Sequence, residues 1–496
     1  MTADVTTTGA SSWVVIMAAV LVLAPVVTIA LASLAVVPRN RRPQSALAWL
    51  LLIYVLPIIG FLLFLVFGSR RLPKRRREQQ AEINAYILEA TEGIDRVIKD
   101  SPWPPWLEPI VELNRNLGAM PLVGGNTAKL YTDYAESIAA MTDAVRGASR
   151  WVHVEFYIMS VDGATRDFFD ALDDAVRRGV VVRVLYDHVA SLRVRGYRRL
   201  RKRLDQMGAE HHPMLPVRPW RGQWQRPDLR NHRKFLIADG SLAFTGSQNL
   251  IERGYHRRAR LDGTRLAWKE LMVGFEGPIA AGIEALFATD WYSETDELLV
   301  RESVVRPDVD PGEGLDAQVV PSGPAFEGEN NLRLFNSLVY AAQEQIQICS
   351  PYFVPDESML YAITTAAQSG LDVQLFVSEV GDQALVFHAQ RSYYEELLRA
   401  GVRIWLYRSP TVLHAKHFTI DDQVAIIGSS NMDMRSFSLN LEVSVMVRGE
   451  SIIRELRKIE RSYRENSREL TLEDWMKRPA HMRIFDDLAR VTATVQ

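Results

Sequence analysis

Arg230 to Asn249 reads RNHRKFLIADGSLAFTGSQN, and its pattern returns 182 residues further on in His414 to Asn431, HAKHFTIDDQVAIIGSSN. Each copy has a histidine and a lysine one residue apart, a short apolar run, an aspartate, a second apolar run and a Gly-Ser-x-Asn ending. The shift carries His232, Lys234, Asp239, Gly246, Ser247 and Asn249 onto His414, Lys416, Asp421, Gly428, Ser429 and Asn431. One such set of offsets could arise by chance in a long chain; two with the same tail mark an internal duplication. Lys234 to Ala238 and Leu242 to Thr245 meet at Asp239-Gly240, which predicts a β-hairpin.

The segments around the two hairpins also repeat. Before the first, Trp151 to Met159 and Val180 to Asp187 read as strands, with a helix over Thr165 to Arg178; after it come a strand at Leu271 to Phe275 and a helix at Pro278 to Phe287. In the second copy we expect helix Leu332 to Gln343, strand Gln345 to Cys349, helix Glu357 to Gln368, strand Val373 to Ser378, helix Asp382 to Ala400 and strand Val402 to Tyr407. The second motif, strand Leu441 to Val447 and helix Ser451 to Tyr463 follow. The fold class is therefore α/β: two tandem α/β domains, each with its own sheet, at 117–310 and 311–496, with a Pro, Gly and Asp-rich border at 306–324. The tail from Leu470, with Trp475 and Phe485, reads as a packed edge.

Upstream, Trp13 to Val37 and Ser45 to Gly68 are uncharged runs of 25 and 24 residues, each long enough to cross a hydrocarbon core as a helix. The short link between them predicts a two-helix transmembrane hairpin over 1–69. Six basic residues follow the second run and three lie in the link, which favours a cytoplasmic catalytic body on a multi-pass cell-membrane protein. Residues 70–116 form a basic juxtamembrane segment and a linker helix over 78–100, ended by SPWPPW at 101–106. A net charge of −2 over 496 residues gives the whole molecule no pull on nucleic acid, and the single cysteine, Cys349, excludes a disulfide framework.

The histidine and lysine of each copy, two positions apart on a strand, face one side. Asp239 and Asp421 complete the catalytic motifs but lie on the odd offset, so they read as turn and hydrogen-bonding residues. Ser247 and Ser429 follow glycines that let the next strand approach, and the Asn249 and Asn431 amides can donate to an anionic oxygen. Glu270 and Glu442 each precede a glycine by seven residues and begin an apolar strand. We expect them to accept a hydrogen bond from the far ring nitrogens of His232 and His414; a salt bridge at a sheet end is the alternative. A nucleophile or base, a fixed positive charge and a neutral donor suit a phosphoryl centre. One copy alone cannot both attack and protonate a leaving alcohol, so we expect the halves to meet about a pseudo-two-fold axis with both histidines and both lysines on one phosphate. No Asp-rich or His-rich ligand cluster is apparent, and two lysines can neutralise phosphate charge, so no metal or other cofactor is expected.

Paired H-x-K-x4-D motifs with GSxN resemble the phospholipase D superfamily. ALAWLLLIYVLPIIGFLLFLVFG in the second apolar run, GGN at 124–126, VEFYIM at 154–159, SPYFVPD at 350–356, SYYEELLRAGV at 392–402 and RSFSLNLE at 435–442 narrow the likeness to the bacterial cardiolipin synthases of that type. The resemblance implies condensation of two phosphatidylglycerol molecules to cardiolipin and glycerol. It implies that His232 forms the phosphatidyl-enzyme, while His414 protonates the departing glycerol and activates the incoming hydroxyl; the duplication by itself leaves those roles interchangeable. A phospholipase D that hands the intermediate to water, and a membrane-tethered nuclease, would use the same residues. Arg193 to Arg203 and the following stretch with Trp220, Arg221 and Trp224 suit contact with anionic membrane lipid, though such a composition also fits a solvated face or nucleic acid.

Overall fold

The structure is a computed structural model that describes residues 7–39, 41–94, 103–221, 223, 225–255, 260–261, 263–299, 314–326 and 328–491. The chain divides into two compact units, Met1–Arg70 and Arg71–Gln496.

In the first unit the leading apolar run lies in a 30-residue helix, Thr7–Val36, and the second run forms two helices, Pro43–Val55 and Pro57–Phe67. The break is local chemistry: Leu56 leaves the helical region at φ −131°, and Pro57, which has no N–H to give, restarts a helix at its first position. Ile53, Phe64, Val37 and Ala46 bury against one another, and Trp49 meets Phe64 edge-on at 5.5 Å. Among the described residues no helix is long and apolar enough to cross a membrane, so the spans expected at 13–37 and 45–68 are not established by the structure.

The second unit opens with the linker helix, which runs Lys74–Ala90 rather than from 78 to 100; residues 95–100 lie outside the described residues. Ile83 and Ile87 bury, and Arg76 makes a two-pronged bond to Glu294 at 2.9 and 2.8 Å.

The long strands of the unit then form one continuous sheet, which corrects the expectation of two, and a few short strands pair off outside it. From a central seam outward, the first half runs Leu122–Tyr131, Met272–Glu276, Leu242–Gly246, Lys234–Ala238, Trp151–Phe156, Val181–Asp187 and Glu210–Met214. The second half repeats that order as Leu315–Ser322, Asn440–Arg448, Val424–Gly428, His417–Ile420, Gln345–Cys349, Asp372–Ser378 and Arg403–Tyr407, with Ser467–Leu470 added at its edge. The seam is the antiparallel pair Leu122↔Gln318 and Val123↔Ala317, and the matching order on either side is that of a pseudo-two-fold. Both seam strands were missed in the sequence. Leu315–Ser322 lies inside the segment read as a border, whose residues 306–313 are outside the described ones, and Leu122–Tyr131 carries Gly-Gly where an apolar run is expected.

The predicted elements around the motifs are otherwise present within a few residues at their ends, with two exceptions: the helix expected at Pro278 to Phe287 runs on to Thr295, and Asp382 to Ala400 contains two helices, Ala384–Arg391 and Tyr394–Ala400. Helices cover both faces, so Lys234–Ala238 is buried at all five positions, the pattern of a mid-sheet strand. The largest apolar cluster draws Phe235, Phe275 and Trp291 from one half and Val445, Ile452 and Leu456 from the other. At about 1.5–3 kcal/mol for each large side chain buried, this shared core makes the halves one body.

Candidate active site

The strand that ends just before each histidine pairs with the other half. Arg230–Asn231 runs parallel to Asn440–Leu441, and the His232 N–H donates to the Leu441 carbonyl at 2.8 Å. Thr411–Leu413 runs parallel to Ala267–Lys269, and the His414 N–H donates to the Lys269 carbonyl at 2.7 Å. In both places the next residue along the partner strand is a glutamate.

The expected carboxylate partners are therefore present, but exchanged relative to sequence order. His232 Nδ1 lies 3.0 Å from both oxygens of Glu442, and His414 Nδ1 lies 2.9 Å from both oxygens of Glu270. A carboxylate at Nδ1 fixes the proton there and leaves Nε2 with its lone pair outward, the tautomer that can attack or take up a proton. The GSxN serines hold the glutamates: Ser247 Oγ donates to Glu270 at 2.6 Å and Ser429 Oγ to Glu442 at 2.5 Å. Glu442 also accepts from Ser436 Oγ at 2.8 Å and Asn440 at 3.3 Å, both from the RSFSLNLE stretch.

Lys234 Nζ donates to the His232 carbonyl at 2.5 Å and Lys416 Nζ to the His414 carbonyl at 2.7 Å. Burial draws the Lys234 pKa down to about 7, with Lys416 lowering it further against the pull of Glu442; Lys416, also buried, falls to about 8. Burial takes His232 down to about 4 against the pull of Glu442, and lowers His414 likewise. Burial alone would raise Glu442 and Glu270, yet their histidines, lysines and serines hold both below the usual carboxylate range. Because Lys416 acts on both His232 and Lys234, and Glu270 acts on Lys234, charges from the two halves share one small region. That region offers two neutral imidazoles and two ammonium groups, a set that matches a phosphodiester's two anionic oxygens and one electrophilic phosphorus.

Asp239 and Asp421, counted with the catalytic motifs by position, take no part in this cluster and have the turn and hydrogen-bonding role that their odd offset implies. Each sits in a left-handed turn, φ 53° and 49°, at the far end of the strand. Asp239 accepts from the Ser149, Arg150 and Trp151 amides at 2.8–3.0 Å, and Asp421 from those of Gln343, Glu344 and Gln345 at 2.9–3.1 Å, fixing the start of the neighbouring strand. Asn249 gives its amide to the Tyr255 hydroxyl at 3.1 Å, and Asn431 is buried. Trp220 is 79% exposed beside Arg221 in the loop that leads into Arg230; Trp224 lies outside the described residues.

Three residues escaped the sequence reading. Tyr157, from VEFYIM, sets its ring 4.8 Å from the His232 ring, and Tyr352, from SPYFVPD, stands 6.2 Å from His414; both meet the imidazole edge-on. Their place at strand ends inside the quoted stretches was the available signal. Arg233, wholly buried, donates from Nε to the Glu442 carbonyl at 3.2 Å and pairs with Asp290. Its counterpart is Ala415, so the two histidines have unlike surroundings.

Comparison with known proteins agrees with this geometry. The family described as cardiolipin synthase, PLD-like domain, matches residues 141–291 and 336–462, and the phospholipase D-nuclease N-terminal family matches residues 20–69. Cardiolipin synthase A of Proteus mirabilis is 32% identical over 460 residues, covering 90% of this chain and 92% of its own. Cardiolipin synthase of Geobacillus kaustophilus is likewise 32% identical, covering 91% and 89%. Among solved structures, phosphatidylserine synthase of Haemophilus influenzae shares the fold at a TM-score of 0.59 and 14% identity, over 77% of this chain and 98% of that one. Two family matches that together span most of the duplicated body, and full-length relatives at this identity, place the chain: it belongs to the cardiolipin synthase family of the phospholipase D superfamily.

Proposed function

We propose that this chain is a phosphatidyltransferase that makes cardiolipin, moving a phosphatidyl group from one phosphatidylglycerol to the hydroxyl of another. The observation that carries the reading is the exchanged pairing of His232 with Glu442 and His414 with Glu270, beside two buried lysines. One neutral imidazole attacks phosphorus through Nε2 while the other, protonated to an imidazolium that its glutamate and the bound phosphate stabilise, gives its Nε2 proton to the departing glycerol oxygen, leaving a phosphatidyl-histidine; the second imidazole, now neutral, then removes a proton from the incoming headgroup hydroxyl, and the P–N bond breaks as the new P–O bond forms. Lys234 and Lys416 hold the phosphoryl oxygens throughout, and Glu442 and Glu270 stabilise each imidazole when it is positive. We assign His232 as the nucleophile on the family resemblance, supported by its distinct setting beside Arg233.

We further propose that the N-terminal hairpin anchors the enzyme in the cell membrane with its catalytic body cytoplasmic. The uncharged runs, the outward apolar side chains of Leu21, Leu51 and Leu65, and the match of residues 20–69 support that reading. The deciding experiment gives the purified protein labelled phosphatidylglycerol in vesicles and separates the lipids, with and without chelator. Cardiolipin and glycerol in equal amounts, unaffected by chelator, are expected. Phosphatidic acid alone would mark a hydrolase, and cleavage of DNA in place of lipid a nuclease.

A further inference from the structure

The C-terminal helix Ala480–Val491 is inside out. Its buried side carries only Asp486, at 1% exposure, and Ala489. Asp486 is held by the His388 ring at 2.8 Å and by two guanidinium groups, Arg478 at 2.6 Å and Arg391 at 3.3 Å. The large apolar residues point away: Ile484, Phe485, Leu488 and Val491 are each between 59% and 77% exposed, with 484, 488 and 491 spaced to form one stripe. An ionic clamp thus fixes the helix while its aliphatic side chains face outward, the reverse of what folding alone selects. The tail read as a packed edge divides accordingly: Trp475 buries and Phe485 does not.

What covers the stripe follows from what the helix rests on. Its partner is the helix Ala384–Arg391, which presents Leu385 at 52% exposure. That helix grows directly out of Asp382 and Gln383, which bond the Tyr352 hydroxyl at 2.9 and 3.0 Å, and the Tyr352 ring faces His414. The stripe is therefore carried on a helix packed against the one that leads out of the Tyr352 contacts, and on the reading proposed above the substrate keeps its acyl chains in a bilayer while its phosphate reaches the histidines. We infer that Ile484, Phe485, Leu488 and Val491 dip into the acyl region of the membrane and hold the catalytic body against it.

Cys349, the only cysteine, is buried, so a bimane label can be placed selectively at Ile484→Cys, Leu488→Cys or, off the stripe, Arg490→Cys in the full chain. In phosphatidylglycerol vesicles with brominated acyl chains, quenching at 484 and 488 should be several times that at 490. Equal or absent quenching at 484 and 488, whether the stripe meets water or a second copy, overturns the inference. The double variant Ile484→Gln with Leu488→Gln should raise KM for vesicle phosphatidylglycerol roughly ten-fold or more. Turnover of short-chain phosphatidylglycerol dissolved as monomers should stay unchanged. An unchanged vesicle KM, or loss on both substrates, counts against the inference. Failure of the unmodified chain to turn over either lipid would instead sink the lipid-substrate reading, while the quenching result would still decide the membrane contact.

Discussion

His232 is neutral near pH 7 because its burial outweighs the pull of Glu442, and that sets the acid side of the chemistry. With a folded pKa of about 4 against an ordinary 6.5, the folded protein binds fewer protons than the unfolded chain between those values, and His414 acts in the same direction. Stability from these two groups is thus fully present above pH 6.5 and is lost as pH falls toward 4; denaturant midpoints at pH 5 and 7 should show the drop, and His232→Phe should shrink it. On the alkaline side the lysines decide. Lys234 at about 7 and Lys416 at about 8 lose their charge as pH rises, so kcat/KM should decline through that range. A bound phosphodiester raises both lysines, so substrate binding at pH 8 should take up protons, measurable by calorimetry in buffers of different ionisation heat. Glu442→Gln keeps the hydrogen bond but not the charge that stabilises a positive His232; kcat should fall about 10²–10⁴-fold with KM little changed. The histidines and lysines were legible from spacing alone. The two glutamates were legible as their partners, but which glutamate serves which histidine was not, because Glu442 meets His232 only through a strand contact formed between halves 210 residues apart in the chain.

The Gly-Ser turns show how the strands deliver those partners. A Cβ at Gly428 would stand 2.2 Å from the Val443 carbonyl oxygen, and one at Gly246 would stand 2.3 Å from that of Leu271. Each glycine lets its strand close on the one that follows a catalytic glutamate, so that the next residue, Ser429 or Ser247, reaches the carboxylate. Gly428→Ala should push Asn440–Arg448 aside, destabilise the fold by about 1–3 kcal/mol and lower kcat beyond what that loss explains. Thermal unfolding and turnover on the same sample check this. The first hairpin was readable, since Asp239-Gly240 between apolar runs admits few other structures, and the second followed from the repeat although its turn reads Asp421-Asp422. The seam strands were not: Leu315–Ser322 hides among prolines and glycines, and the Gly-Gly of Leu122–Tyr131 is explained by a bulge between Val123 and Asn126.

For the catalytic body as a whole, duplication plus exchange means that neither half contains a complete working histidine. His232→Ala and His414→Ala should each lose roughly three orders of magnitude or more in turnover. Mixing the two variants in one vesicle population should restore nothing, because both imidazoles must come from one chain; recovery of activity would point to halves traded between molecules. The α/β class and the repeat were evident in the sequence, while the merging of two sheets into one was not, because it rests on a backbone seam with no motif of its own.

The swapped carboxylates also bear on why the two copies are joined. A single copy standing alone would have a histidine whose orienting acid must come from a second polypeptide, so it could work only as a homodimer. Carrying both copies in one chain frees the two centres to differ, as Arg233 opposite Ala415 shows.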